Sequence, residues 1–139
     1  MDTEDTGTDQ LKTRWFIDLD WYQQHSRSFV TLAREYLCPN CAQRWATEKK
    51  QLSAEVLLTN IRDCCSHVPG FINDRLPVLE SAFRLLLANN NQPIELEELG
   101  RQLSELRGGD TYRTSADILF RLLSKDTYYG FRQIEGKST

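Results

Sequence analysis

All four cysteines of the chain fall in two short segments, Cys38-Pro39-Asn40-Cys41 and Cys64-Cys65-Ser66-His67, in the pattern C-x2-C-x22-C-C-x-H. Two thiols across a tight Pro-Asn turn, answered by a second Cys/His pair on a predicted helix, suit a closed tetrahedral zinc site. At helical spacing Cys64 and His67 share a face, whereas Cys65 turns toward the apolar side with Ile61 and Val68. The expected ligand set is therefore Cys38, Cys41, Cys64 and His67, with Cys65 replacing His67 as the alternative. His25, the other histidine, ranks behind both. A site closed by four protein ligands leaves no position for water, so the zinc would be structural. Two other readings compete with zinc. Free cysteine is among the most buried residue types and can simply fill a core. Cys38 and Cys41 could also form a redox dithiol, but the strand–helix–strand setting of that motif is missing around them.

No other constellation carries chemistry. Gly108-Gly109 lacks the Lys-Ser/Thr that follows in a phosphate-binding loop. With two histidines, one of them assigned to metal, a nucleophile–histidine–acid arrangement has little material. Glu95, Glu97 and Glu98 suit the N-terminal turn of a helix, where the helix dipole favours acids. The chain is read as non-enzymatic.

The 139 residues allow one compact unit or two small ones. A unit of about 60 residues buries only roughly 60% of its unfolded surface, so a metal staple in the N-terminal half would matter. No apolar run approaches the roughly 18 residues of a membrane span, and the acidic N-terminus is unlike a signal peptide. The expected location is the cytoplasm, where clustered cysteines stay reduced and more often bind metal than pair. Seventeen basic and 20 acidic residues give a formal charge of −3, which is no footprint of a strongly basic nucleic-acid binder. The distribution is uneven, however: residues 107–137 hold six bases and four acids, while residues 93–106 hold four acids and one base.

Periodicity predicts a mainly helical chain. Residues 1–13 form an acidic tail. The aromatic run from Trp15 to Tyr22 precedes a short helix over Trp21–His25, with Asp20 as its N-cap. A helix from Ser26 or Ser28 ends at Cys38-Pro39. Residues 41–51 look like loop with a helical turn, and a helix opened by Ser53 runs to Pro69-Gly70. Asn73-Asp74 caps a helix from Arg75 or Pro77 to Ala88. Asn89-Asn90-Asn91 turns, Ile94 is a one-rung strand, and Leu96–Leu106 is helical. Thr114 and Asp117 form a capping box for a last helix, residues 128–134 are extended, and residues 136–139 are tail. The aromatics Trp15, Phe16, Trp21 and Tyr22 are expected in the core, with docking of a partner protein as their second reading, since tryptophan and tyrosine dominate interface anchors.

From Leu76 to Ile134, the order of helix, polar turn with Pro93-Ile94, helix, loop, capped helix and extended end resembles a winged helix-turn-helix domain. The stretch from Gln92 to Leu99 resembles the phrase that opens the second helix of such domains, and Thr114–Leu123 stands where the recognition helix would be. The expected fold is mainly α: the zinc-stabilised helical unit that the cysteine spacing suggests over 14–72, then, as the resemblance implies, a winged-helix-like domain with a minimal wing over 73–135. It also implies nucleic-acid contacts, to DNA above all, by Arg113, Ser115, Arg121 and Lys125 on the third helix and Arg132 on the wing. Two functions are thus expected. The first is a small zinc-containing regulator of transcription that binds DNA. The alternative is a protein-interaction module serving as an accessory subunit or assembly factor.

Overall fold

The computed structural model describes residues 11–47, 53–109 and 113–134. The expected tails over 1–13 and 136–139 fall outside these residues apart from 11–13, as do parts of the segments around 48–52 and 110–112. The described chain is mainly helical, with a small three-stranded antiparallel sheet.

The first element is a strand, β1 (Arg14–Ile17), in the aromatic run. Its side chains alternate: Trp15 and Ile17 point into the core, while Arg14 is exposed. Helix α1 (Leu19–Gln24) follows, capped by Asp18, whose carboxylate accepts from the Asp20 N–H at 3.1 Å. Asp20, the expected cap, thus lies inside the first turn. Ser28 caps α2 (Phe29–Arg34) by accepting from the Thr31 N–H. Residues 41–51 were expected to be mostly loop, yet Pro39–Thr47 is a continuous helix, α3. Proline is well tolerated at a first helical position, because its missing N–H is one that has no intrahelical partner anyway.

Ser53 caps α4 (Ala54–Asp63) through a 3.2 Å bond from the Val56 N–H. The helix stops at Asp63, five residues short of Val68, the last position of its apolar pattern. Cys64 leaves helical geometry at φ −126°, ψ −64°, and Cys65–His67 form a single 3-10 turn. Asn73 is not a helix cap. Its amide bridges the Gly70 carbonyl and the Arg75 N–H in a turn of its own, and α5 (Val78–Ala88) starts after Pro77. Strand β2 (Ile94–Glu95) leads directly into α6 (Leu96–Leu106). Ser115, rather than Thr114, stands at the N-cap of α7 (Ala116–Lys125), and its side chain makes no capping bond. Strand β3 (Phe131–Ile134) ends the described chain.

The sheet order is β2-β1-β3. Trp15 pairs with Ile94 on one side and with Gln133 on the other. β1, from the N-terminal segment, therefore fills the space between two strands of the C-terminal half. One hydrophobic cluster runs under the whole assembly, from Ile17 and Tyr22 through Leu57, Ile61 and Phe83 to Leu103, Leu119 and Leu123.

Candidate metal centre and the surface of the last helix

Cys38 immediately precedes α3 and Cys41 lies in its first turn, so a single helical turn presents both sulfurs to one side. Cys64 and Cys65 follow the last residue of α4. The sulfurs of Cys38, Cys41, Cys64 and Cys65 all lie within 4.8 Å of one another. Cys38 Sγ is 3.9 Å from Cys64 Sγ, and the Cys38 N–H donates to Cys65 Sγ at 3.1 Å. Cys38, Cys41 and Cys65 are buried, at 8%, 4% and 0% exposure, whereas Cys64 is exposed.

This set replaces His67 by Cys65, the expected alternative. His67 is exposed and stands outside the cluster. The first-choice set assumed that Cys64 and His67 share a helical face, an i, i+3 relation that requires α4 to continue. The 3-10 turn turns Cys65 inward instead. His25, the remaining histidine, is exposed and outside the cluster: it stacks on Trp21 at the end of α1, and its ring bonds the Trp21 carbonyl.

The donor set suits a soft, tetrahedral ion. Zinc–sulfur bonds of about 2.3 Å imply sulfurs about 3.8 Å apart around a tetrahedron, close to the Cys38–Cys64 separation. The electrostatics already favour deprotonation of one member. The Cys41 backbone N–H, donating to the Cys38 sulfur, outweighs burial and lowers that thiol to about 7. Burial pushes Cys41 and Cys65 the other way. Neutral thiols at these two positions must lose protons for metal to bind, and a cation in the cluster is what would make that favourable. The cluster is thus close enough to bind a metal ion, and it ties the start of α3 to the end of α4.

The residues singled out for nucleic acid lie elsewhere. Arg113 and Ser115 are exposed ahead of α7, and Arg121 and Lys125 are exposed on it. Arg121 and Lys125 line a shallow cleft together with Asp117, Phe120 and Ser124. Arg132 is exposed on β3, but its guanidinium donates to the Asp18 carboxylate at 2.6 Å. A second cleft, on the other side of Ser124, is lined by Trp15, Trp21, Leu123, Phe131, Arg132 and Gln133. Of the four aromatics near the N-terminus, Trp15 and Tyr22 are buried while Phe16 and Trp21 are partly exposed. Trp15 packs edge-on against Phe120, so a core ring of β1 supports the outward face of α7.

Phe120 and Ser124 were not anticipated at this surface. Their i, i+4 spacing with each other, and the i, i+4 spacing of Asp117, Arg121 and Lys125, would have flagged a shared face. Among the described residues no helix is long and apolar enough to cross a membrane. Comparison with protein-family models, curated proteins and solved structures gave no match.

Proposed function

We infer that this chain is a small, non-enzymatic, zinc-stapled protein of winged-helix-like build that binds nucleic acid, with duplex DNA as the favoured ligand and regulation of transcription as the role. The observation that carries it is the exposed face of α7, where Arg121 and Lys125 stand one turn apart with Arg113 and Ser115 just upstream. The element order α5–β2–α6–α7–β3 supports the winged-helix reading, in which α7 would be the reading helix. β1 supplies the strand beside β3 that the short C-terminal wing lacks. Zinc in the cluster of four cysteines is structural, because four protein thiolates leave no open coordination position.

The test is a salt series on generic duplex DNA with reduced, zinc-loaded protein. Binding that weakens steeply as salt rises supports phosphate contact. Replacing Arg121 and Lys125 by alanine should weaken it uniformly across sequences and lower the salt slope by about 2. Absence of binding at low salt overturns this function. It would favour the second one, an accessory subunit or assembly factor that docks a protein partner through Trp21 and Phe16. That reading draws on the cleft that Trp21 and Phe131 line beside β3 and on Asp117, which places a carboxylate among the bases of α7.

A further inference from the structure

We propose that Cys64 is an oxidative modification site, at which a peroxide converts the four-thiol cluster into a Cys38–Cys64 disulfide and so discharges its metal. The proposal rests on the zinc assignment above for its metal-release part only; the thiol pairing stands on geometry.

Three observations carry it. Cys64 is the exposed residue among the four cysteines, while Cys38, Cys41 and Cys65 are at most 8% exposed. A water-borne oxidant therefore reaches Cys64 first, and oxidation of thiols follows access as well as thiolate character. The exposure has a local cause: α4 ends at Asp63 and the chain swings out at Cys64 before returning at Cys65. Finally, a partner sulfur is already in contact, with Cys38 Sγ 3.9 Å from Cys64 Sγ.

The neighbouring thiol is the poorer partner. Adjacent Cα atoms are about 3.8 Å apart, below the roughly 4.4–6.8 Å that disulfides span, so a Cys64–Cys65 bridge would be strained. Cys65 Sγ is also engaged by the Cys38 N–H.

The chemistry balances with peroxide as the named oxidant. The Cys64 thiolate attacks one peroxide oxygen, the O–O bond breaks, and sulfenic acid and hydroxide result. The Cys38 thiolate then attacks the Cys64 sulfur, the S–S bond forms, and a second hydroxide leaves. The two sulfurs lose two electrons in all, and the peroxide is reduced to two hydroxides, which are protonated to water. Two of the four donors are consumed, and Cys41 and Cys65 remain as a buried pair too small to retain the ion. The new bond crosslinks the start of α3 to the end of α4, the same two elements the metal would hold. A thiol reductant restores the four donors.

The experiment uses the full chain, reduced and loaded with zinc without oxygen, with bound zinc measured first. Hydrogen peroxide is then added while a chromogenic chelator follows zinc release, and alkylated samples are mapped by tandem mass spectrometry. The expected result is one zinc released per Cys38–Cys64 bridge formed, reversed by reductant and zinc. Because Cys64→Ser also removes a zinc donor, it is read on metal-free protein, where it should slow the peroxide-driven loss of alkylatable Cys38 by about an order of magnitude. The proposal is overturned if the first bridge joins Cys64 to Cys41 or Cys65, if Cys38 and Cys41 pair first, or if peroxide leaves all four thiols alkylatable. Mapping on the native chain decides the pairing even if Cys64→Ser fails to fold. Should the reduced protein take up no zinc, the zinc assignment fails by itself, and the same mapping on metal-free protein still decides which sulfur reacts and with which partner.

Discussion

Cys65 and His67 stand two residues apart, and the backbone between them decides which can reach the other thiols. In a continued α-helix His67 would stack beside Cys64. In the observed 3-10 turn Cys65 is fully buried against the start of α3 and His67 faces solvent. His67→Ala should therefore leave zinc stoichiometry and thermal midpoint unchanged, whereas Cys65→Ser should abolish tight binding; elemental analysis of the purified variants checks both. Loss of zinc in His67→Ala would restore the ligand set that helical spacing suggests. The caps act at the same scale. Ser53→Ala removes the acceptor of the Val56 N–H at the start of α4 and should cost about 1 kcal/mol in denaturant unfolding. Since α4 delivers Cys64 and Cys65, it should also weaken metal retention.

At the level of elements, the sheet depends on residues outside its strands. β2 offers β1 only two residues, and the Asn91 side chain takes over where it stops, accepting from the Ile17 N–H and donating to the Ile17 carbonyl, each at 2.8 Å. Asn91 holds φ +58°, a left-handed conformation that asparagine tolerates better than most residues. Asn91→Ala would strand both groups of Ile17 and should lower stability by about 2–3 kcal/mol in chemical denaturation. The α6–α7 junction is set by close approach. A Cβ on Gly100 would stand 2.5 Å from the Thr114 carbonyl oxygen, which is backbone and cannot swing aside. Gly100→Ala should cost about 2 kcal/mol and, by pushing α7 outward, should weaken any DNA binding by a helix that keeps all its bases. Arg107 anchors the other end of α6. Only 2% exposed, it donates from Nη1 to the Leu76 carbonyl at 2.6 Å and to Ser81 Oγ at 2.8 Å, pinning the entry to α5.

Across the whole molecule, the turn before β3 is gripped by the N-terminal half. Asp126 accepts from the backbone N–H groups of Tyr128, Tyr129 and Gly130. Tyr22 donates to the Tyr129 carbonyl at 2.6 Å, and the Arg27 guanidinium lies 4.6 Å from the centre of the Tyr128 ring. Burial holds the phenols of Tyr22, Tyr36 and Tyr129 above their ordinary value of 10.0. In the unfolded chain these groups ionise near that value, while in the native state they keep their protons to higher pH. The folded form therefore binds more protons in that window, and stability should be intact below pH 10 and fall as pH rises beyond it. Urea unfolding at pH 8, 10 and 11 checks this, and Tyr22→Phe should flatten the alkaline decline while lowering the neutral-pH value by about 1 kcal/mol for its lost hydrogen bond.

Local patterning was enough for most of the helices and for the gathering of the cysteines. Leu96, Leu99 and Leu103 mark the buried face of α6, and Leu119 and Leu123 that of α7, as helical spacing requires. The C-x2-C pair is one turn of chain, and its convergence on Cys64 was legible because few other thiols exist to pair with it. β1 was not legible, because Trp15 and Ile17 read equally well as core aromatics and apolar filler. A four-residue strand acquires its identity only when β2, β3 and Asn91 supply partners from 74 or more positions away. The choice of Cys65 over His67 likewise needed the tertiary structure: helical periodicity extrapolates through Cys64, and only the 3-10 turn that sets Cys65 Sγ against the Cys38 N–H shows that the helix has already ended there.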